Sequence, residues 1–82
     1  MKNILITGAA NGIGYYLARQ LLSEGYNVTV LDLKTDNLSS LCEEYDSLFS
    51  LTCDVRDLKQ MEICVSKSVK KYGSIDCAVH NA

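Results

Sequence analysis

The sequence predicts an α/β fold, a parallel sheet of four strands in the order 3-2-1-4 with three crossover helices. Three observations carry that expectation. Apolar residues switch along the chain between short continuous runs and 3.6-residue stripes; runs and stripes alternate as β-α-β-α-β-α-β with short links; and the first run stops at a glycine-rich turn that opens a helix.

Asn3 to Thr7 is a nearly all-apolar run, as in a strand buried on both faces of a parallel sheet. Gly12 to Glu24 places Ile13, Leu17, Ala18, Leu21 and Leu22 on one helical stripe, and Gly25 stands at the C-cap. Tyr15 is expected at the surface. The second strand is Asn27 to Asp32. A helix from Asp36 to Tyr45 sets Leu38, Leu41, Cys42 and Tyr45 at i, i+3, i+4 and i+7, and Leu48 to Cys53 follows as the third strand. Asp57 caps the third helix, with Gln60 reaching back in a capping box; Leu58, Met61, Val65, Val69 and Tyr72 make its buried stripe and Gly73 ends it. Ile75 to Asn81 is the fourth strand. If the third crossover returns beside the first strand, the order reverses there, and small ligands bind at the C-terminal ends of strands around such a switch point.

At 82 residues the chain is at most one domain, 48% hydrophobic, 22% charged and free of proline. Nothing in it suggests disorder. Eight basic against ten acidic residues leave no electropositive field for a nucleic acid. The basic cluster of Lys67, Lys70 and Lys71 sits near a helix C-terminus, where it complements the dipole. No apolar run approaches the ~18 residues of a membrane span, and no signal peptide precedes the first strand, so the chain reads as cytoplasmic. Cys42, Cys53, Cys64 and Cys77 never form C-x-x-C and each falls in an apolar pattern. They read as buried free thiols rather than disulfides or a structural zinc site, and no metal is expected.

Gly8, Gly12 and Gly14 each have a separable reason. Gly8 permits the tight turn out of the strand, Gly12 lets a helix N-terminus approach a pyrophosphate, and Gly14 allows close packing of helix on strand. Asp32 ends the second strand 18 residues after Gly14, beside the crevice where an adenosine ribose would lie. A carboxylate there accepts both ribose hydroxyls and repels a 2′-phosphate; Leu33 and Asn11 supply no cation for such a phosphate, and Lys34 is the one dissenting charge. NAD is therefore expected ahead of NADP.

Thr7-Gly8-Ala9-Ala10-Asn11-Gly12-Ile13-Gly14 resembles the T-G-x-x-x-G-I-G signature of the short-chain dehydrogenase/reductase family. Cys53-Asp54-Val55 is similar to that family's D-V element, and His80-Asn81-Ala82 to its N-N-A-G element, with His80 in place of the first Asn. The resemblance covers the chain end to end. It implies a Rossmann-type fold truncated to four strands, with residues 1–82 the N-terminal part of a single NAD(P)-binding domain. It also implies cofactor contacts from Gly8, Ala10, Asn11, Gly12, Ile13, Gly14, Asp32, Leu33, Asp54, Val55, Asn81 and Ala82. In the family the acid matching Asp54 accepts from the adenine amino group, and the element matching Asn81 and Ala82 lines the nicotinamide ribose and ties the sheet together. Tyr16 departs from the family's usual small residue, which would set the helix slightly off the sheet. His80 reads as a packed, hydrogen-bonded strand histidine, with proton transfer the rival role.

Family members act on alcohols and carbonyls through a Ser, a Tyr-x-x-x-Lys pair and an Asn beyond the fourth strand. None of the five tyrosines here has a lysine four positions later, so no catalytic residue is assigned. The expectation is the NAD-binding half of an oxidoreductase acting on a small alcohol or ketone, inactive alone and prone to self-association through its open sheet edge. The alternatives are a non-catalytic NAD-binding or regulatory module and a vestigial fragment that folds only by self-association.

Overall fold

The computed structural model describes residues 2–10 and 12–81. Asn11 and Ala82, both expected at the site, lie outside the described residues. The elements run β1 (Asn3–Thr7), α1 (Gly12–Ser23), β2 (Asn27–Asp32), a 3-10 turn (Asp36–Leu38) leading into α2 (Ser39–Glu44), β3 (Leu48–Thr52), α3 (Leu58–Tyr72) and β4 (Cys77–His80). All neighbouring strands are parallel, in the order β3-β2-β1-β4, so the sheet reverses direction of growth between β1 and β4. Boundaries differ from expectation by a residue or two, and the second helix begins as a tighter 3-10 turn.

The pleat divides the sheet's side chains between two helical layers. Ile4, Ile6, Val28, Val30 and Leu48 meet Ala18 and Leu22 of α1 and Leu38 and Leu41 around α2. On the other face Leu5 and Leu31 meet Cys53 and Cys64 of the α3 side. The expected two-sided burial of β1 is found, since all five of its residues are buried.

Helix phase is where the structure corrects the sequence. In α1 the buried residues are Gly14, Ala18 and Leu22, spaced by four. Ile13, expected on the buried stripe, is 80% exposed. Tyr15, expected at the surface, packs on the first core cluster, whereas Tyr16 is exposed and so leaves the helix seated close to the sheet. In α3 the face turned to the sheet carries Cys64 and Ser68, flanked by half-buried Met61, Val65 and Tyr72. Leu58 and Val69, expected inside, are exposed.

A polar demand of the sheet explains that rotation. Asn3 and Thr29 are fully buried neighbours on the α3 face and need partners. Asn3 Nδ2 donates to Ser68 Oγ (3.0 Å), and Thr29 Oγ1 gives its one proton to Asn3 Oδ1 (3.3 Å). The 2.7 Å contact between Ser68 Oγ and Thr29 Oγ1 must then be donated by Ser68, which closes a ring of three bonds. Asn3 Nδ2 also donates to the Gly73 carbonyl, and Asp76 accepts from the Asn3 N–H, so the end of α3 and the start of β4 are tied to the first strand. Among the described residues no buried side-chain nitrogen or oxygen lacks a partner.

The capping of α3 is close to expectation but not identical. Asp57 accepts from the Lys59 and Gln60 N–H groups as an N-cap should. Gln60 donates to Asp57 Oδ2, while its carbonyl accepts from the N–H of Asp54 rather than from that of Asp57. The side chain thus braces the loop between β3 and α3. Of the four cysteines, all free, Cys53 and Cys64 are buried and Cys42 half-buried. Cys77 is exposed, against expectation, at the start of β4, an edge strand.

Candidate functional site

The C-terminal ends of the four strands bring Gly8, Asp32, Cys53 and Asn81 to one rim of the sheet. Gly8 has φ 74° and Gly12 φ 62°, values an L side chain rarely adopts, so glycine is required in both bends of the turn. The Gly8 N–H donates to the Leu31 carbonyl at 2.9 Å, which fixes the start of the turn on β2. Gly14 is confined differently. A Cβ there would lie 2.5 Å from Asn81 Nδ2, 2.7 Å from the Gly8 carbonyl oxygen and 3.0 Å from Ala9 Cα. Gly14 was expected to pack on a strand; its nearest neighbours are instead the turn after β1 and Asn81, the residue after β4. At Gly12 a Cβ would meet nothing within 4 Å, so that side of the turn faces open space.

Asn81 locks the far side. Its Nδ2 donates to the Gly8 carbonyl at 2.9 Å, and its N–H reaches the Thr7 carbonyl and Oγ1, each at 3.2 Å. Thr7 Oγ1 also lies 3.0 Å from His80 Nδ1, so His80 is hydrogen-bonded as expected, although its residue is exposed rather than packed.

Asp32 is half-buried and both of its carboxylate oxygens are held by main chain. Oδ2 accepts from the N–H of Ala10 and Oδ1 from that of Lys34, both at 3.1 Å. Beside it opens a cavity of about 80 Å³ lined by Gly8, Leu31, Asp32, Leu33, Cys53 and Val55. Four of these six were expected at the site. Leu31 and Cys53 were missed, although each stands at the end of its expected strand on the side facing the crevice. The walls are aliphatic and sulfur, with the Asp32 carboxylate at one end, which suits a flat ring carrying a hydroxylated sugar. Ala10, Gly12, Ile13, Gly14 and Asn81 build the turn and its support rather than the wall.

Asp54 lies outside this wall. Its carboxylate takes the Arg56 guanidinium in a two-point pair, Oδ1 to Nε and Oδ2 to Nη2 (both 3.1 Å), and also accepts the Arg56 N–H at 3.0 Å. The Arg56 side chain, and then its N–H, hold the Asp54 carboxyl below its ordinary range, and Asp54 raises Arg56 in return. Arg56 was not singled out from the sequence, and its placement two residues after an acid in a turn was the available signal. Burial, followed by the neighbouring Cys64 thiol, pushes the Cys53 thiol up to about 11.

A family model described as short chain dehydrogenase matches residues 2–82. The chain is 36% identical over 80 residues to the 1,2-dihydroxy-1,2-dihydronaphthalene dehydrogenase of Pseudomonas putida, covering 96% of this chain and 31% of that one. The structure of an actinorhodin polyketide ketoreductase with NADPH superposes with a TM-score of 0.88 at 35% identity, over 99% of this chain and 33% of that one. The 3-ketoacyl-(acyl-carrier-protein) reductase of Brucella melitensis, solved with NADH, shares the fold with a TM-score of 0.87 at 24% identity, over 94% and 32%. The chain thus spans about a third of the length of these relatives. With its glycine turn, its strand-end acid and its 3-2-1-4 sheet matched from Lys2 to Ala82, the chain belongs to the short-chain dehydrogenase family.

Proposed function

We propose that residues 1–82 form the N-terminal, dinucleotide-binding part of an oxidoreductase that acts on an alcohol or carbonyl group. The observation that carries this reading is Asp32 at the end of the cavity. Two of a carboxylate's roughly four lone-pair sites are taken by the Ala10 and Lys34 N–H groups, which fix its orientation and leave two for the hydroxyls of a ribose. The aliphatic walls of Leu31, Leu33 and Val55 receive the adenine ring, and the turn of Gly8 and Gly12 brings main-chain N–H groups at the start of α1 toward the pyrophosphate. Asn81, bonded to Gly8, holds the turn against β4, next to where the nicotinamide half extends. A bound nicotinamide supplies hydride transfer; the residues of this segment bind and orient it.

The preference is for NAD. Asp32 repels a 2′-phosphate, and Leu33, 57% exposed beside it, offers no cation. The two solved relatives hold different forms of the cofactor, so the preference rests on these two side chains. Free thiols throughout fit a reducing, cytoplasmic compartment. β4 forms one edge of the sheet with Cys77, Ala78 and His80 exposed, which favours association when this segment is made alone. None of its tyrosines has a lysine four positions on, so turnover by these residues alone is not expected.

Isothermal titration with NADH and NADPH tests the binding reading. Saturable NADH binding with roughly tenfold weaker NADPH is expected. No binding of either would overturn the function, and tighter NADPH would overturn the preference.

A further inference from the structure

Three sulfur atoms meet behind the cavity wall. Cys53, the first residue after β3, is 1% exposed, yet it belongs both to the wall of the cavity and to the second core cluster. Its Sγ lies 3.8 Å from Met61 Sδ. Cys64 is buried in the same cluster, packed beside Cys53. Met61 and Cys64 are three positions apart on α3, so both project from one face toward Cys53. The surrounding cluster is aliphatic, made of Leu5, Leu31, Leu51 and Ile75.

Thiolate and thioether donors select soft ions, while zinc sites need a fuller set of nitrogen, oxygen and sulfur ligands. Among the described residues no group of three or more His, Cys, Asp and Glu could hold a metal ion, so a site here has to draw on the Met61 thioether as its third donor. We propose that Cys53, Cys64 and Met61 form a binding site for one soft monovalent cation of the copper(I) or silver(I) class, entered from the cavity at Cys53. Two S–H bonds are replaced by two sulfur–metal bonds, the protons pass to the buffer, the thioether donates a lone pair, and no oxidation state changes. The proposal does not depend on the nucleotide reading, because every donor is a side chain of the core.

The test uses the full chain carrying Cys42→Ser and Cys77→Ser, which removes the half-buried and the exposed thiol. Copper(I) is offered anaerobically as its bicinchoninate complex, with binding read by the colour of that complex and thermal unfolding read alongside. One equivalent should transfer and raise Tm. Met61→Leu, which conserves volume, should weaken binding measurably, and Cys53→Ser and Cys64→Ser should each weaken it roughly tenfold or more. Failure of the background variant to take copper(I) from the complex, or transfer with no rise in Tm, overturns the site. So does unchanged affinity in Met61→Leu, the variant that decides the matter if the serine variants do not fold.

Discussion

The Asp32 carboxylate accepts the backbone N–H of Ala10 at 3.1 Å, linking the end of β2 to the glycine turn that follows β1. The residue proposed to hold the ribose therefore also shapes the loop proposed to hold the pyrophosphate. Asp32→Ala should weaken binding of both cofactor forms through the loosened turn, and weaken NADH more through the lost ribose bonds. Charged hydrogen bonds of this kind contribute about 1–3 kcal/mol, so a loss of roughly 5- to 150-fold for NADH is expected, with a narrowed gap to NADPH. Titration calorimetry on both forms measures it. An unchanged NADPH affinity would separate ribose recognition from loop positioning.

The glycines of the turn should respond differently to the same substitution. Gly14→Ala drives a Cβ onto the Gly8 carbonyl and the Asn81 amide, and overpacking of this kind costs about 1–3 kcal/mol while also breaking the Asn81–Gly8 bond. Gly12→Ala meets no atom and should lose only the cost of its positive φ, about 1–2 kcal/mol. Gly12→Val should abolish dinucleotide binding while keeping helix content, because its side chain would stand where the pyrophosphate is proposed to approach. Circular dichroism, thermal unfolding and calorimetry together distinguish these outcomes.

Removing Ser68 opens the ring of bonds that it shares with Asn3 and Thr29. Ser68→Ala leaves one Asn3 Nδ2 hydrogen without an acceptor and one Thr29 Oγ1 lone pair without a donor in a fully buried setting, a loss of about 1–3 kcal/mol. Ser66→Ala, on the exposed face of the same helix, should stay within about 0.5 kcal/mol. Denaturant unfolding of the two variants checks the contrast.

Cys53 sets an alkaline limit on stability. The folded state holds its thiol near 11 against an ordinary value of 9.0, chiefly through burial. Above pH 9 the unfolded chain gives up this proton while the folded chain keeps it, so the contribution is complete below pH 9 and declines as pH rises to about 11. Tm should fall across that window, and the fall should be shallower in Cys53→Ala.

Much of the chain was legible before folding. Strand and helix periods placed all seven main elements, the glycines and Asp57 marked the turns and the α3 cap, and Gly8, Asp32, Leu33 and Val55 were expected at the rim where the cavity opens. These features are local: a period, a cap or a positive φ is written in a few neighbouring residues. The rotation of each helix about its axis is not. Met61, Val65 and Tyr72 fit the expected α3 stripe as well as the observed one, and what turned Cys64 and Ser68 inward was the need of Asn3 and Thr29 for a partner 39 or more positions away. The same holds for Tyr15 over Tyr16, for the exposure of Ile13, and for the meeting of Cys53, Met61 and Cys64. The sequence by itself determined which elements form and at which rim the strand ends converge. Only the tertiary structure decided which face of each helix is buried, because that choice is settled by the shape and polarity of the surface it packs against.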